Sequence, residues 1–303
     1  MPLLTKAVAG EPLPAGITPA PFIVGLGRSG TTLLRLMLDA HPDLAIPPET
    51  QFIPAVAKAC QMAADPCHAF LQALTSAFTW TDFHLDVDLL QSRITSSEPF
   101  NITAALRAFY TLYAERFGKQ RWGDKSGYLW NMVRIQKLLP EARFIHIVRD
   151  GRDVALSIKD LWWGPNSVEE AAEHWHTGLQ KARSQSAELR FYREVRYEDL
   201  VLDPERQLRQ ICDFVELAWH PAMLAYYRNA ENRLAEFTAI LDPSARRITT
   251  AEERRRIHSH VSQPPQASLI GKWKHELADT QKQHFAHIAG AMLSEFGYEL
   301  ETE

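Results

Sequence analysis

The stretch Pro21-Phe-Ile-Val-Gly-Leu-Gly-Arg-Ser-Gly-Thr-Thr-Leu-Leu-Arg-Leu-Met-Leu-Asp-Ala40 decides the fold. It opens on an apolar run, Pro21-Phe22-Ile23-Val24, of a length that suits a short buried strand. Gly25, Gly27 and Gly30 then break the chain into a turn. From Thr31 to Ala40, Leu33, Leu34, Met37 and Leu38 recur at the spacing of one helical face. The unit is strand, glycine-rich turn, helix. Glycines let backbone N–H groups approach a phosphate closely, and a helix N-terminus adds the positive end of its dipole. Ser29, Gly30, Thr31 and Thr32 are therefore expected phosphate contacts, with the threonine hydroxyls as extra donors. Thr31 stands where a triphosphate-binding GxxxxGK[ST] loop carries lysine, and the basic residue lies inside the turn as Arg28. A metal-bridged triphosphate fits this loop poorly; a donor with fewer adjacent charges fits better.

Outward from this unit, residues 1–20 read as a flexible, Pro-rich lead-in and residues 21–303 as a single domain. Helices are expected over 52–64, 67–78 and 101–117. A second apolar strand, Phe144–Val148, precedes Asp150, a helix cap with Asp153 three residues on. A long helix over 167–189 leads to a third strand, Phe191–Arg196, and Asp203-Pro204-Glu205 starts another helix. Residues 242–266 read as loop-rich, and 279–296 as a final amphipathic helix. Strands alternating with helices give an α/β fold: a P-loop-type central parallel sheet flanked by helices on both faces.

Composition narrows the function. The 303 residues carry 33 Lys and Arg against 37 Asp and Glu, a net charge of −4, which argues against a general nucleic-acid binder. Three cysteines without metal-ligand spacing point to reduced thiols. No window reaches the ~20 apolar residues of a membrane span, and the proline-punctuated N-terminus lacks a signal-peptide core. These features give the expectation of a soluble, cytoplasmic protein.

Four segments, in order along the chain, resemble the sulfotransferases that use 3′-phosphoadenosine 5′-phosphosulfate (PAPS). Gly27–Arg35 followed by Leu38-Asp39-Ala40-His41-Pro42 is similar to their 5′-phosphosulfate loop. Ile147-Val148-Arg149-Asp150-Gly151-Arg152-Asp153 with Ser157 is similar to their 3′-phosphate site. Val195–Val201, containing Tyr197, and Gly271-Lys272-Trp273 complete the set. The resemblance is closest to the tyrosylprotein sulfotransferase-like branch and its bacterial relatives. It implies that Arg28 neutralises the 5′-phosphosulfate, that Arg149 and Ser157 hold the 3′-phosphate, and that Tyr197 and Lys272 contact the donor. It also implies that Glu49, in Pro47-Pro48-Glu49-Thr50, is the general base, and that Lys125 faces the sulfuryl or bridging oxygen. A histidine base two residues after such a lysine, common in the small-molecule branch, is replaced by Gly127.

Two departures stand out. A further basic position beyond the 3′-phosphate serine falls on Leu161, and the C-terminal Arg-Lys-Gly clamp is missing. Arg254–Arg256 would have to swing in as a substitute, or else form a solvated helix face. Ser259 and Ser262 are candidates to reach the transferring group, while Trp80, Trp130 and Trp162-Trp163 are candidates for an acceptor pocket. The histidines show no metal spacing, so no metal is expected; the acceptor is expected to be a small metabolite, with peptide tyrosine or carbohydrate as alternatives. A homodimer fits the sequence as well as a monomer. A P-loop kinase or nucleotidase, and a nucleotide-binding protein without turnover, are the competing readings.

Overall fold

Strand β1 (Thr5–Ala7) begins the computed structural model, which describes residues 3–8, 13, 15–95, 99–159, 161, 163–241 and 247–300. It is followed by β2 (Ala20–Val24), β3 (Leu44–Ala45), β4 (Arg121–Trp122), β5 (Asp124–Lys125), β6 (Ala142–Val148) and β7 (Phe191–Arg196). The main sheet has the order β1-β7-β6-β2-β5. Its inner pairings are parallel, with Phe22 opposite Phe144 and Ile147 opposite Val195. β3 and β4 form a separate parallel pair.

Period-two alternation explains how the sheet is covered twice. Phe22 and Val24 of β2 and Phe144 of β6 enter one apolar cluster, with residues of the helices Ile102–Glu115, Val168–Ser186 and Asp279–Glu295. Ile23, Ile145, Ile147 and Val195 enter the other, against the helices Thr31–Asp39 and Pro204–Phe214. Strands buried on both faces read as continuous apolar runs, which is what made β2 and β6 visible.

Two expectations are corrected. Thr5–Ala7 is no loose lead-in: it pairs antiparallel with β7, Thr5 opposite Arg193, and Lys6 Nζ donates to the Ser186 carbonyl at 3.2 Å. The stretch expected to be loop-rich contains the helix Ala251–Ile257, started by a capping box in which Thr250 and Glu253 satisfy each other's backbone N–H. Residues 242–246 of that stretch lie outside the described residues, as does Trp162.

From β2 the chain moves to β5 on one side and then to β6 on the other. The direction of winding therefore reverses at β2. Ligands of open α/β sheets bind at such a switch point, beyond the carboxyl ends of the strands.

Candidate functional site

The loop that leaves β2 stands at this switch point. Arg28 and Gly30 both adopt positive φ, 69° and 99°, so the turn folds tightly and delivers Gly30 as the N-cap of Thr31–Asp39. A Cβ on Gly30 would lie 2.4 Å from the Tyr197 ring, and one on Gly27 would lie 2.6 Å from Trp163. Glycine is required at Gly30 by both its angle and its neighbour. Thr31 and Thr32 occupy the first helical turn, whose N–H groups have no partner within the helix. Ser29, Thr31 and Thr32 are buried.

The second strand–helix unit meets this loop. Asp150 caps the helix Gly151–Ile158 by accepting from the Arg152 amide at 3.0 Å. Arg149, at the end of β6, donates to the Arg28 carbonyl at 3.3 Å and to the Leu269 carbonyl at 2.7 Å, and lies over the Tyr197 ring at 4.7 Å. Its buried Nε has no hydrogen-bond partner among the described residues. Arg28 Nε donates to Ser157 Oγ at 3.0 Å, and one terminal nitrogen donates to the Ile257 carbonyl. Burial, followed by the Arg149 charge, lowers the Arg28 pKa. Two adjacent, desolvated guanidinium groups make a place that favours an anion.

Glu49 faces the same cavity. Its carboxylate accepts from Lys125 Nζ at 2.8 Å and from the Gln51 amide. Burial alone would raise its pKa, but the Lys125 charge and the hydrogen bonds from Lys125 and Gln51 outweigh it and hold the group below the ordinary glutamate value. The Pro47-Pro48-Glu49 turn is held at both ends. Before it, the Ile46 amide donates to Asp39 at 2.8 Å, and the Ile46 carbonyl accepts from Arg35 at 2.9 Å and Arg233 at 3.2 Å. After it, the Thr50 hydroxyl donates to the buried Asp124 carboxyl at 2.6 Å.

Arg28, Gly30, Thr31, Thr32, Glu49, Lys125, Arg149, Ser157 and Tyr197 line one cavity of about 1370 Å³, together with Lys272, whereas Ser29, expected as a phosphate contact, is buried and does not line it. Arg28, Thr31 and Arg149 lie on its loop side, and Glu49 and Lys125 on its β5 side. The sequence of the Sulfotransferase family matches this chain over residues 19–221, which contain the loop, Glu49, Lys125, Arg149, Ser157 and Tyr197. The chain belongs to the sulfotransferase family.

Relatives of this sulfotransferase include protein-tyrosine sulfotransferase 1 of Danio rerio, 26% identical over 289 residues (93% of this chain, 72% of that protein). Protein-tyrosine sulfotransferase 2 of Gallus gallus is 28% identical over 296 residues, covering 93% of this chain and 70% of that protein. Among solved structures, the sulfotransferase domain from the Synechococcus PCC 7002 olefin synthase has a TM-score of 0.61 and 24% identity. The match covers 97% of this chain and 100% of that one. The protein is a PAPS-dependent sulfotransferase.

Other candidates divide. Arg254 lines the cavity but is held by Asp82, to which it makes two hydrogen bonds at 2.8 and 2.6 Å, while Arg255 and Arg256 are exposed. The wall beside them is formed by Ile257, His258, His260 and Val261, not by Ser259 or Ser262. Trp130 and Trp163 line the cavity, whereas Trp80 packs on Phe83. Arg152 pairs with Asp150 and lies 3.4 Å from the centre of the Trp273 ring, so both serve the local fold. Lys272 pairs with Glu276 at 2.9 Å on the cavity wall.

Three residues in or beside the cavity were not singled out from the sequence as site residues. His258 lines the cavity and stacks on Phe237; burial, then the charges of Lys125 and Arg28, hold its pKa well below the ordinary imidazole value. Asp153 accepts from the Gly271 and Trp273 amides at 2.7 and 2.9 Å, drawing the C-terminal segment against the helix Gly151–Ile158. Asp124 anchors Thr50. Of these, only Asp153 carried a local signal, three residues beyond a helix cap.

Proposed function

We propose that this sulfotransferase moves the PAPS sulfuryl group onto an acceptor hydroxyl, with Glu49 as general base. The observation that carries the reading is the Glu49–Lys125 pair, at 2.8 Å, in the same cavity as the phosphate loop. The residues present suit the donor: a glycine cradle at a helix N-terminus for the 5′-phosphosulfate, and Arg149 with an unpartnered buried Nε beside Ser157 for the 3′-phosphate. Tyr197 and Lys272 complete the donor wall.

PAPS supplies an activated sulfuryl group on a phosphate leaving group. Glu49 takes the acceptor proton as the new O–S bond forms; the bridging S–O bond breaks, and its electron pair leaves with adenosine 3′,5′-bisphosphate. Lys125 and Arg28 oppose the charge gathering on the sulfuryl and bridging oxygens, so the barrier falls through positioning and fixed charge. The ion pair with Lys125 keeps Glu49 ionised but weakly basic in the free protein. When Lys125 turns toward the donor, burial becomes the dominant influence on Glu49 and makes it a stronger base. These positive groups suffice without a metal in this reading.

The acceptor is a hydroxyl compound of small size. Peptide tyrosine is the second reading, favoured by the relatives named protein-tyrosine sulfotransferases. Binding of adenosine 3′,5′-bisphosphate in the presence of EDTA, with release of the same bisphosphate from labelled PAPS on turnover, is the expected result. Magnesium-dependent ATP hydrolysis without bisphosphate binding would overturn the reading.

A further inference from the structure

The cavity is larger than its donor-binding wall needs. Pockets for one drug-sized ligand run about 300–1,000 Å³, so about 1370 Å³ leaves room for a second molecule beside the nucleotide. What surrounds that remaining space differs in chemistry from the donor side. Near Glu49 in the chain, the wall includes Phe52, Ala55, Ala73, Ala77 and Phe78, with Trp130, and among them only uncharged polar groups such as Ser76 and Thr79. Phe78 is 50% exposed and Trp130 45% exposed. Single exposed hydrophobes are ordinary on a protein surface, but these two, with Trp163, Leu241 and Ile248 also exposed on the wall of the same cavity, mark a place for an apolar ligand.

This wall is tied to the base. Thr79, next to Phe78, donates its hydroxyl to the Thr50 carbonyl at 3.1 Å, and Thr50 follows Glu49 in the chain. A molecule lying on Phe78 would therefore extend from the neighbourhood of Glu49 outward.

Charge points the same way. The cations on the cavity wall are already engaged: Lys125 with Glu49, Lys272 with Glu276, Arg254 with Asp82, and Arg28 and Arg149 with loop and C-terminal groups on the donor side. An acidic peptide would place carboxylates against alanine and aromatic surface, and burying a charge without a partner is strongly unfavourable. A neutral apolar body meets no such cost.

We infer that the acceptor is a neutral alcohol with an extended apolar body, its hydroxyl at Glu49 and its chain along the Phe78–Trp130 wall. The inference rests on the reading of Glu49 as base and adds the chemical class of the molecule that meets it.

The test uses the whole protein, labelled PAPS, straight-chain primary alcohols from butanol to dodecanol, a tyrosine peptide rich in aspartate and a free sugar. Bisphosphate binding is measured in parallel. The expected result is a kcat/KM that rises by up to about fourfold per added methylene, until the wall is covered. F78S and W130S should flatten that rise while bisphosphate binding stays unchanged; both side chains are substantially exposed, so neither substitution opens the core. Bisphosphate binding with kcat/KM independent of chain length, with no alcohol turned over, or with the acidic peptide preferred to every alcohol overturns this inference and leaves the donor reading standing. No bisphosphate binding overturns both.

Discussion

At Glu49 two influences oppose each other: burial, which raises the carboxyl pKa, and Lys125, whose charge and hydrogen bond lower it. Their roles can be separated by substitution. Glu49→Gln keeps the shape and loses the base, so turnover should drop by about 10²–10⁴-fold with bisphosphate affinity retained. An unchanged rate would mean that another group, such as His258, takes the proton. Lys125→Met removes the largest lowering influence and leaves burial opposed only by the Gln51 hydrogen bond and the Arg254 charge. The Glu49 pKa should then rise, and the acid limb of the kcat/KM profile, which reports the free enzyme, should move to higher pH. A limb that stays in place while the rate falls would show that Lys125 acts on the sulfuryl group alone and leaves the base unaffected. Both residues were legible through their resemblance to family positions. Their contact was not, because Glu49 and Lys125 are brought together only by the packing of the Pro47-Pro48 turn against β5.

Within β5, Asp124 is fully buried and accepts from the Thr50 and Tyr110 hydroxyls at 2.6 and 2.7 Å. Burial, only partly offset by these hydrogen bonds and by Lys125, pushes its pKa up to about 7. The folded state therefore holds a proton that the unfolded chain has released. This contribution to stability is fully present below about pH 4 and is lost as pH rises through about 7, by up to about 4 kcal/mol at ~1.4 kcal/mol per pH unit. Asp124→Asn keeps an acceptor for Thr50 and removes the titration, so urea midpoints between pH 4 and 8 should slope less than in the unsubstituted protein. Equal slopes would refute the elevated pKa. β5 shows where sequence reading stops: two residues, Asp124 and Lys125, are too few to show alternation, and both are charged. β1 failed for the same reason, since Thr5–Ala7 is short and lies at a sheet edge. The helix Ala251–Ile257 presents charge around most of its surface and has no apolar stripe, although its Thr250–Glu253 capping box was readable. β2, the glycine turn and β6 were legible because every requirement they meet is local.

Across the whole molecule, the proposed donor wall is assembled from distant parts of the chain. Arg28 and Gly30 follow β2, Arg149 ends β6, Tyr197 follows β7, and Leu269 to Trp273 arrive from near the C-terminus. The last segment is joined to the others by the Arg149 bond to the Leu269 carbonyl and by Asp153, which accepts from Gly271 and Trp273. No stretch of sequence encodes that joining, which is why the Lys272 segment was recognisable and its attachment to Asp153 was not. The joining also makes the two halves of the donor wall respond together. A ligand that binds only the folded state at 100 times its Kd adds about 2.7 kcal/mol of stability, so saturating adenosine 3′,5′-bisphosphate should raise the melting temperature by about 5 °C. Amide exchange should slow together in residues 25–32 and 267–273. Asp153→Asn should uncouple them, leaving protection in the glycine loop and losing it around Gly271. Protection confined to residues 25–32 in the unsubstituted protein would show that the C-terminal segment packs near the donor without closing on it.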